Sequence, residues 1–308
     1  MSNHPAIGGI PLCLGGNVFG WTADEDTSFA VLDKFYEAGG RMVDTAQGYS
    51  VWVEGHQGGE SEAVIGKWLE ARGVRAEMKI HTKTGMFGKP GDLAPHKVHE
   101  ELEKSLERLR TDYVDLYYAH RDEETTSVSE IVAGFDALVE AGKVRELGAS
   151  NFTAARLEEF YEAAEAWGNV PFTVLQNEYN LVHRDAYGED LQELCLKRGI
   201  AHLPFFGLGS GFLTGKYRSE DDFAQSARGS GMNRFYPEGL PVLDAMDEVA
   251  QQTGASLPAI ALAWLRVQPG IAAPIASART PGQLDALLES VSLELNQGQL
   301  DELTRSLP

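Results

Sequence analysis

The chain has 308 residues, of which 43% are apolar, and 46 acidic against 26 basic side chains give it a formal net charge of −20. This length suits one large α/β barrel or two small domains, and the composition excludes both wholesale disorder and a collagen-like fibre. Because phosphate binding needs clustered Lys and Arg, the acidic excess argues against nucleic acid and anionic lipid as partners.

Short apolar runs alternate with longer amphipathic stretches along the whole chain, and no linker interrupts them. We predict eight strands, at residues 11–14, 41–43, 77–82, 114–118, 144–149, 173–176, 201–205 and 272–275. A helical pattern follows each of them. Three helix starts read as capping boxes, at residues 22–25, 127–130 and 280–283. Four glycines stand where helices should end: Gly39, Gly73, Gly142 and Gly199.

Eight strand–helix units are the number that closes a (β/α)8 TIM barrel of parallel strands. An open doubly wound sheet is the alternative, but no strand is followed by a Gly-x-Gly-x-x-Gly segment that opens a helix. We therefore expect one α/β barrel domain over residues 1–308. A loop of about thirty residues, 207–237, follows the seventh strand and far exceeds the usual connection. A helical tail after Gly298 should pack on the outside or base of the barrel.

The cysteines and apolar runs bear on the compartment of the protein. Cys13 and Cys195 lie far apart and follow no metal-ligand spacing, which is typical of small buried side chains in a reducing environment. The most apolar run, 259–265, is too short to cross a bilayer. We expect a cytoplasmic protein without a membrane partner.

Polar side chains stand at the carboxyl ends of the predicted strands, where barrel enzymes carry their active sites. The second strand runs into Asp44 and Tyr49, the third ends at Lys83 and the fourth at His120. Singly, each has an ordinary explanation as a turn former or as a packed or solvated group. Together they would converge on one mouth. We expect Lys83 to lower the pKa of the Tyr49 phenol, ordinarily about 10, by about one to three units. Asp44 would keep Lys83 charged, and His120 would polarise a carbonyl oxygen.

These four residues are suited to donating a proton to an oxygen atom. They include no nucleophile activated for acyl transfer and no evident metal ligands, so the electrons for the reaction would come from a hydride cofactor. Hydroxyl and amide groups suited to a carboxamide follow the next strands, and they are Ser150, Asn151 and Gln176. Phe205 offers a flat face for an aromatic ring. A helix that begins at Thr280, preceded by Ser277 and Arg279, is a candidate phosphate site.

Six segments in order resemble the aldo-keto reductase superfamily over nearly the whole chain, in particular its bacterial members. They are residues 43–46 with Tyr49, 82–85, 116–121, 148–152, 176–180 and 209–216. The resemblance implies a (β/α)8 barrel with NADPH extended across its mouth, and a carbonyl reductase of the NADP-dependent alcohol dehydrogenase type. It also implies Tyr49 as general acid, Lys83 and Asp44 as its tuning pair, and His120 as the substrate orienter.

The same resemblance implies a set of cofactor contacts. The carboxamide and nicotinamide half would meet Gly16, Asn17, Ser150, Asn151, Gln176 and the ring of Phe205. The pyrophosphate would meet Leu208 and Ser210, with Lys216 nearby. The adenosine-phosphate segment would be Ser277, Arg279 and Gln283. Preference for NADP(H) rests mainly on Arg279, and NAD(H) stays open.

The substrate and the function class retain alternatives. Aromatic side chains near the expected mouth suit a sugar ring or an aryl carbonyl equally, although ordinary loop anchoring explains each as well: Trp21, Trp52, Tyr179 and Phe206. The partner would be a small-molecule carbonyl or alcohol, and the oligomeric state is open. One rival is a nicotinamide-binding sensor of the same fold. A less favoured rival is a class I aldolase-like barrel, in which Lys83 would form a Schiff base.

Overall fold

The computed structural model describes residues 4–225 and 229–307. Eight parallel strands pair in the order β7-β6-β5-β4-β3-β2-β1-β8. They are β1 Cys13–Gly15, β2 Met42–Asp44, β3 Lys79–Thr84, β4 Val114–Ala119, β5 Val144–Ser150, β6 Val174–Gln176, β7 Ala201–His202 and β8 Ile275–Ala276. The amides of Ala272 and Ile275 donate to the carbonyls of His202 and Pro204 at 2.8 Å each, which joins the two edge strands. The sheet is the wall of a (β/α)8 barrel.

The described residues form ten α-helices. They are α1 Glu25–Glu37, α2 Glu60–Arg72, α3 Pro95–Leu109, α4 Val128–Glu140, α5 Ala154–Trp167, α6 Glu189–Arg198, α7 Leu240–Thr253, α8 Leu257–Arg266, α9 Pro281–Ser292 and α10 Gln297–Arg305. All eight predicted strands are confirmed, with bounds moved by a few residues. The four predicted helix-ending glycines have positive φ at or just after a helix end, a conformation that glycine adopts without a Cβ penalty.

The predicted capping boxes have three different outcomes. Ser127 and Glu130 form the full reciprocal box at α4. At α1 the prediction of a Thr22 cap is wrong, because Ala23 still donates to Val18 in the preceding turn and the Asp24 side chain accepts from Thr27 at 2.9 Å. At α9 the Thr280 side chain caps Gln283, while the Gln283 side chain accepts from the amide of Arg279 instead of that of Thr280.

Two apolar layers follow from the alternation of side chains along the strands. Leu116 and Tyr118 of β4 point into the barrel, where they pack with Cys13, Met42 and other buried side chains. Tyr117, between them, faces the surrounding helices. The barrel is therefore filled with side chains, and the space for a ligand lies at the strand ends.

The long connection after β7 and the tail are both confirmed. The connection contains short 3-10 turns at Gly209–Thr214, Glu220–Gln225 and Gly229–Arg234, and Arg234 pairs with Glu178 beyond the end of β6. Helix α10 lies on the outside, where Thr304 accepts a hydrogen bond from the Trp264 indole at 3.0 Å. Within residues 4–225 and 229–307, no helix has the length and apolar character needed to cross a bilayer.

Candidate active site

A buried ion pair lies at the carboxyl ends of β2 and β3. Asp44 ends β2, and Lys83 points into the same end of the barrel from β3. The Lys83 Nζ lies 2.6 Å from Asp44 Oδ2 and donates to the Thr45 carbonyl at 2.8 Å. Neither side chain has appreciable exposure. Burial lowers the pKa of Lys83, but Asp44 and Tyr49 together more than offset this and hold the pKa above its ordinary value, so Lys83 is charged at neutral pH.

Tyr49 reaches this ion pair from the loop between β2 and α2. Its hydroxyl lies 3.5 Å from Lys83 Nζ, and its ring packs edge-on against Trp52. The direction of its pKa differs from the sequence-based expectation. Burial raises the pKa of Tyr49, and this exceeds the lowering by Lys83, which Asp44 partly cancels. The expected acidification is therefore wrong for the free protein, because desolvation penalises a phenolate more than the neighbouring cation stabilises it.

His120 completes the group at the end of β4. Its ring lies edge-on to the Tyr49 ring with centroids 6.0 Å apart. Burial, with the charges of Lys83 and Arg121, holds the pKa of His120 well below its ordinary value. The imidazole is therefore neutral at neutral pH and carries one N–H. Its Nδ1 is enclosed and has no hydrogen-bond partner among the described residues. The structure thus brings together all four residues predicted at the strand ends.

Three polar side chains at the ends of β5 and β6 lie beside the ion pair or beside His120. The Gln176 amide nitrogen donates to Asp44 Oδ1 at 2.9 Å, across the barrel from β6 to β2. Asn151 donates to the His120 carbonyl and to Ser150 Oγ, both at 3.0 Å. Because both amide nitrogens are committed to protein acceptors, the amide oxygens are the groups that these side chains can offer to an N–H donor.

The loop after β1 meets the end of β8 beside this group. Ser277 Oγ donates to Asn17 Oδ1 at 2.6 Å. A larger residue at either glycine would require neighbouring side chains to move, since a Cβ at Gly15 would lie 2.5 Å from Ser277 Oγ and one at Gly16 would lie 2.9 Å from Ser61 Oγ. Of the predicted cofactor residues, Gly16, Asn17 and Ser277 therefore form one surface.

The start of α9 presents an arginine and the backbone amide of Gly282, since Pro281 has no N–H and Thr280 caps the Gln283 amide. Thr280 caps the helix, and the exposed Arg279 lies immediately before it. The Arg279 guanidinium has no ion pair or hydrogen bond with any described residue. Gln283, the third residue predicted here, fixes the turn by accepting from the Arg279 amide at 2.9 Å.

The long connection after β7 carries the remaining predicted cofactor residues. The rings of Phe205 and Phe206 meet edge-on, with centroids 5.0 Å apart. Leu208 precedes the first 3-10 turn, and Ser210 lies inside it with a φ of 54°. The exposed Lys216 follows, with its Nζ 4.8 Å from the centre of the Tyr217 ring. These side chains share one segment rather than a closed pocket.

The structure brings together two of the four predicted substrate-pocket residues. Trp21 and Trp52 meet edge-on at 5.5 Å, and Trp52 in turn contacts Tyr49. Phe206 is exposed on the loop after β7. Tyr179 departs from the expectation, since it is buried in a separate ring cluster with Tyr187 and Trp264.

Sequence reasoning missed two contacts of Asp44's neighbourhood. The carbonyl of Thr45 accepts from Lys83, and Gln176 bonds Asp44 directly. Backbone acceptors carry no side-chain signal in a sequence. The inward direction of Gln176 could have been inferred from its place at a strand end, but its partner on the opposite wall could not.

Comparison with known proteins gives a consistent result. The model of the aldo/keto reductase family matches residues 11–307. A norsolorinic acid reductase of Emericella nidulans is 34% identical, with 97% of this chain and 78% of that protein aligned. An aldo-keto reductase of Bacillus subtilis is 32% identical over 92% of this chain and 84% of its own. An aryl-alcohol dehydrogenase [NADP(+)] of Phanerodontia chrysosporium is 31% identical over 93% and 77%.

Proposed function

This chain belongs to the aldo/keto reductase family and is an oxidoreductase, and from that membership we propose that it reduces an aldehyde or ketone to the alcohol with NADPH. The observation that carries the proposal is the contact of the Tyr49 hydroxyl with the charged, buried Lys83 beside a neutral imidazole. Those groups suit proton donation to a carbonyl oxygen that becomes an alkoxide.

Each of the four residues has a defined task in the proposed reaction. The bound nicotinamide supplies the hydride to the carbonyl carbon. The His120 N–H donates a hydrogen bond to the carbonyl oxygen and orients it. Tyr49 then gives its proton to that oxygen, and Lys83, held by Asp44, stabilises the phenolate that is left. Solvent returns the proton to Tyr49, so that one carbonyl, one NADPH and one proton yield one alcohol and one NADP+.

The residues around the site suit a bound nicotinamide dinucleotide. The amide oxygens of Asn151 and Gln176 are acceptors for the two N–H groups of a carboxamide. Gly16, next to Asn17, donates its amide to the Asp44 carbonyl at 2.7 Å and so lies beside the same group. We assign the nicotinamide half to these residues with Asn17, Ser150 and Phe205. The remaining assigned contacts are Leu208, Ser210 and Lys216 for the pyrophosphate, and Ser277, Arg279 and Gln283 for the adenosine phosphate.

The charge distribution supports NADPH over NADH. A chain of net charge −20 repels a polyanion in general, so local cations have to compensate where it binds. Arg279 at the start of α9 combines an unpaired guanidinium with helix amides that favour an anion. A 2′-phosphate is the group that such a site distinguishes from a bare ribose.

Aryl carbonyls are the proposed substrate class, in preference to sugars. Trp52 is 44% exposed and Phe206 is 39% exposed, although large apolar rings are usually buried. One relative is named an aryl-alcohol dehydrogenase and another a norsolorinic acid reductase.

We propose a cytoplasmic location for the reaction.

The aldolase-like alternative loses support from the geometry of Lys83. A Schiff-base lysine has to be neutral to attack a carbonyl carbon. Here the Asp44 carboxylate, 2.6 Å away, favours the ammonium form, and the side chain is fully buried. The same geometry suits a permanent cation.

The test is NADPH oxidation with a panel of aromatic aldehydes, measured for the wild-type protein and for Tyr49→Phe. We expect turnover by the variant to fall by about two or more orders of magnitude, while the dissociation constant of NADPH, from fluorescence titration, changes little. Tyr161→Phe is the matched control, since it removes the same phenol hydroxyl from α5, where the ring lies beside Arg198 and away from the acid. Equal activity in Tyr49→Phe contradicts the proposed acid. Tight NADPH binding without consumption of any carbonyl favours the sensor alternative.

A further inference from the structure

Arg121 follows His120 directly at the carboxyl end of β4 and is exposed. Since β4 ends at Ala119, Arg121 leaves the barrel wall at the same end as Tyr49 and Lys83. Its guanidinium makes no hydrogen bond, ion pair or ring contact with any residue in 4–225 or 229–307. In a chain with 46 acidic side chains, an arginine beside the site without a carboxylate partner needs an explanation.

The carboxylates nearest to Arg121 in sequence are committed elsewhere. Asp122 accepts both arms of the Arg156 fork, at 2.6 and 3.0 Å. Glu123 accepts from the amide and hydroxyl of Thr125, at 2.8 and 2.5 Å. Glu124, the next acid, is exposed, and none of the three acids forms an ion pair with Arg121 within the described residues. The five N–H donors of Arg121 are therefore free although three acids follow it in the chain.

The stem of Arg121 is packed although its head is free. Gly88, in the loop after β3, has a positive φ of 58°, and a Cβ there would lie 3.4 Å from Arg121 Cβ and 2.9 Å from the Asp122 carbonyl. The loop therefore lies against the backbone and stem of Arg121. A packed stem reduces the rotamer freedom that the side chain loses when its head binds a ligand.

An exposed ring on the same loop accompanies this cation. Phe87, next to Gly88, is 56% exposed, and Lys89 Nζ lies 4.9 Å from the centre of its ring. With Trp52 and Phe206 it makes three exposed rings on the loops that follow β3, β2 and β7. A rim with aromatic faces and a free guanidinium matches a ligand that has an aromatic ring and a planar anion.

We propose that Arg121 is a specificity-determining residue that binds a carboxylate on the substrate, so that the preferred substrates are aryl aldehydes or ketones that carry an acidic group. The inference rests on the proposed carbonyl reduction and adds the class of substrate to it. A guanidinium fork binds a carboxylate with two parallel hydrogen bonds, whereas lysine offers only a point charge. Asp122 does not compete, because both of its oxygens are bonded to Arg156, and Glu123 is buried.

The experiment compares kcat/KM for benzaldehyde with the values for 3- and 4-carboxybenzaldehyde, with NADPH as the reductant. For the wild-type protein we expect the better carboxylated aldehyde to have a higher kcat/KM than benzaldehyde, and the ratio of the two values measures the preference for a carboxylate. In Arg121→Met this ratio should fall by about ten- to hundredfold, which is typical of losing a charged hydrogen-bonded pair. Arg121→Lys should recover part of the ratio, and the loss should appear mainly in KM for the carboxylated aldehyde.

Arg145→Met is the matched control. Arg145 is also an exposed arginine and its loss changes the net charge equally, but it lies at the start of β5, at the opposite end of the barrel from the site. In Arg145→Met, the ratio of kcat/KM for the carboxylated aldehyde to kcat/KM for benzaldehyde should equal that of the wild-type protein. An unchanged ratio in Arg121→Met overturns the inference, and so does an equal fall in Arg145→Met, which would indicate general charge steering. If the wild-type protein reduces none of the three aldehydes while binding NADPH, the proposed function fails instead.

Discussion

Replacing Asp44 with asparagine tests whether the buried ion pair holds its charge as described. The substitution keeps the size of the side chain and removes the anion 2.6 Å from Lys83 Nζ. Lys83 retains the Thr45 carbonyl and the Tyr49 hydroxyl, neither of which carries a full charge. Removing one partner of a buried pair typically costs about 3–5 kcal/mol, since the other charge remains without compensation. We therefore expect Asp44→Asn to lower the free energy of unfolding by that amount at pH 7.

The free energy of unfolding of Asp44→Asn should also change with pH in a defined direction. Without Asp44, burial lowers the pKa of Lys83 below that of the unfolded chain, so the unfolded state binds more protons and the variant gains stability as the pH rises. The gain is at most about 1.4 kcal/mol per pH unit, up to about pH 10. In the wild-type protein the pKa of Lys83 is raised, so its contribution is present below pH 10 and lost above it.

Urea denaturation from pH 7 to pH 10 measures both effects. Glu25→Gln is the control, because it breaks the exposed pair with Lys67 and should cost about 0–1 kcal/mol at every pH. The reasoning is refuted if Asp44→Asn costs no more than this control, or if its deficit does not shrink as the pH rises. The double variant with Lys83→Met should recover part of the loss, since it removes the uncompensated charge.

Two further outcomes follow from the same structure. Arg279→Ala should raise the dissociation constant of NADPH by about ten- to hundredfold, because a charged hydrogen bond is lost, while the dissociation constant of NADH should stay within about threefold. In the control Arg145→Ala, both dissociation constants should be unchanged. Equal effects of Arg279→Ala on the two cofactors would refute the 2′-phosphate assignment. Burial lowers the pKa of His202 from 6.5 to about 3, so the unfolded chain takes up a proton that the folded protein does not. Its contribution to stability is therefore present above pH 6.5 and lost as the pH falls, by about 2 kcal/mol between pH 7 and pH 5. His202→Gln should shed that part of the acid sensitivity in urea titrations, and an unchanged slope would show that His202 is not the source.

The strands and the four central residues could be predicted because both depend on local patterns. Apolar runs mark buried strands, and parallel strands place their carboxyl ends at one mouth, so residues at the ends of β2, β3 and β4 meet there. Asp44, Lys83 and His120 needed no knowledge of loop shape. The prediction of Thr22 as the cap of α1 was wrong for a local reason. Thr22 and Asp24 are both residue types that cap helices well, and only the conformation of the preceding turn decides between them.

The failures at the site concern quantities that exist only in three dimensions. Tyr179 lies only three residues after Gln176, the last residue of β6, but its ring packs against Trp264 of α8, which no sequence spacing indicates. Arg121 has no partner in Asp122 because that carboxylate forms an ion pair with Arg156 of α5. Local sequence could place an arginine beside His120, but it could not show whether that arginine was paired.

The raised pKa of Tyr49 constrains when Lys83 contributes to the proposed reaction. With the phenol protonated, the ammonium meets only a neutral partner, 3.5 Å from the hydroxyl and 5.1 Å from the centre of the ring, which stabilises the starting state little. An alkoxide is a far stronger base than a phenolate, so proton transfer to it is downhill even from a phenol whose pKa burial has raised. The negative charge then lies on Tyr49 in a site with little water, where an adjacent cation interacts most strongly. Lys83 therefore stabilises the charge that develops during the reaction more than the starting state, and only such differential stabilisation speeds the chemical step.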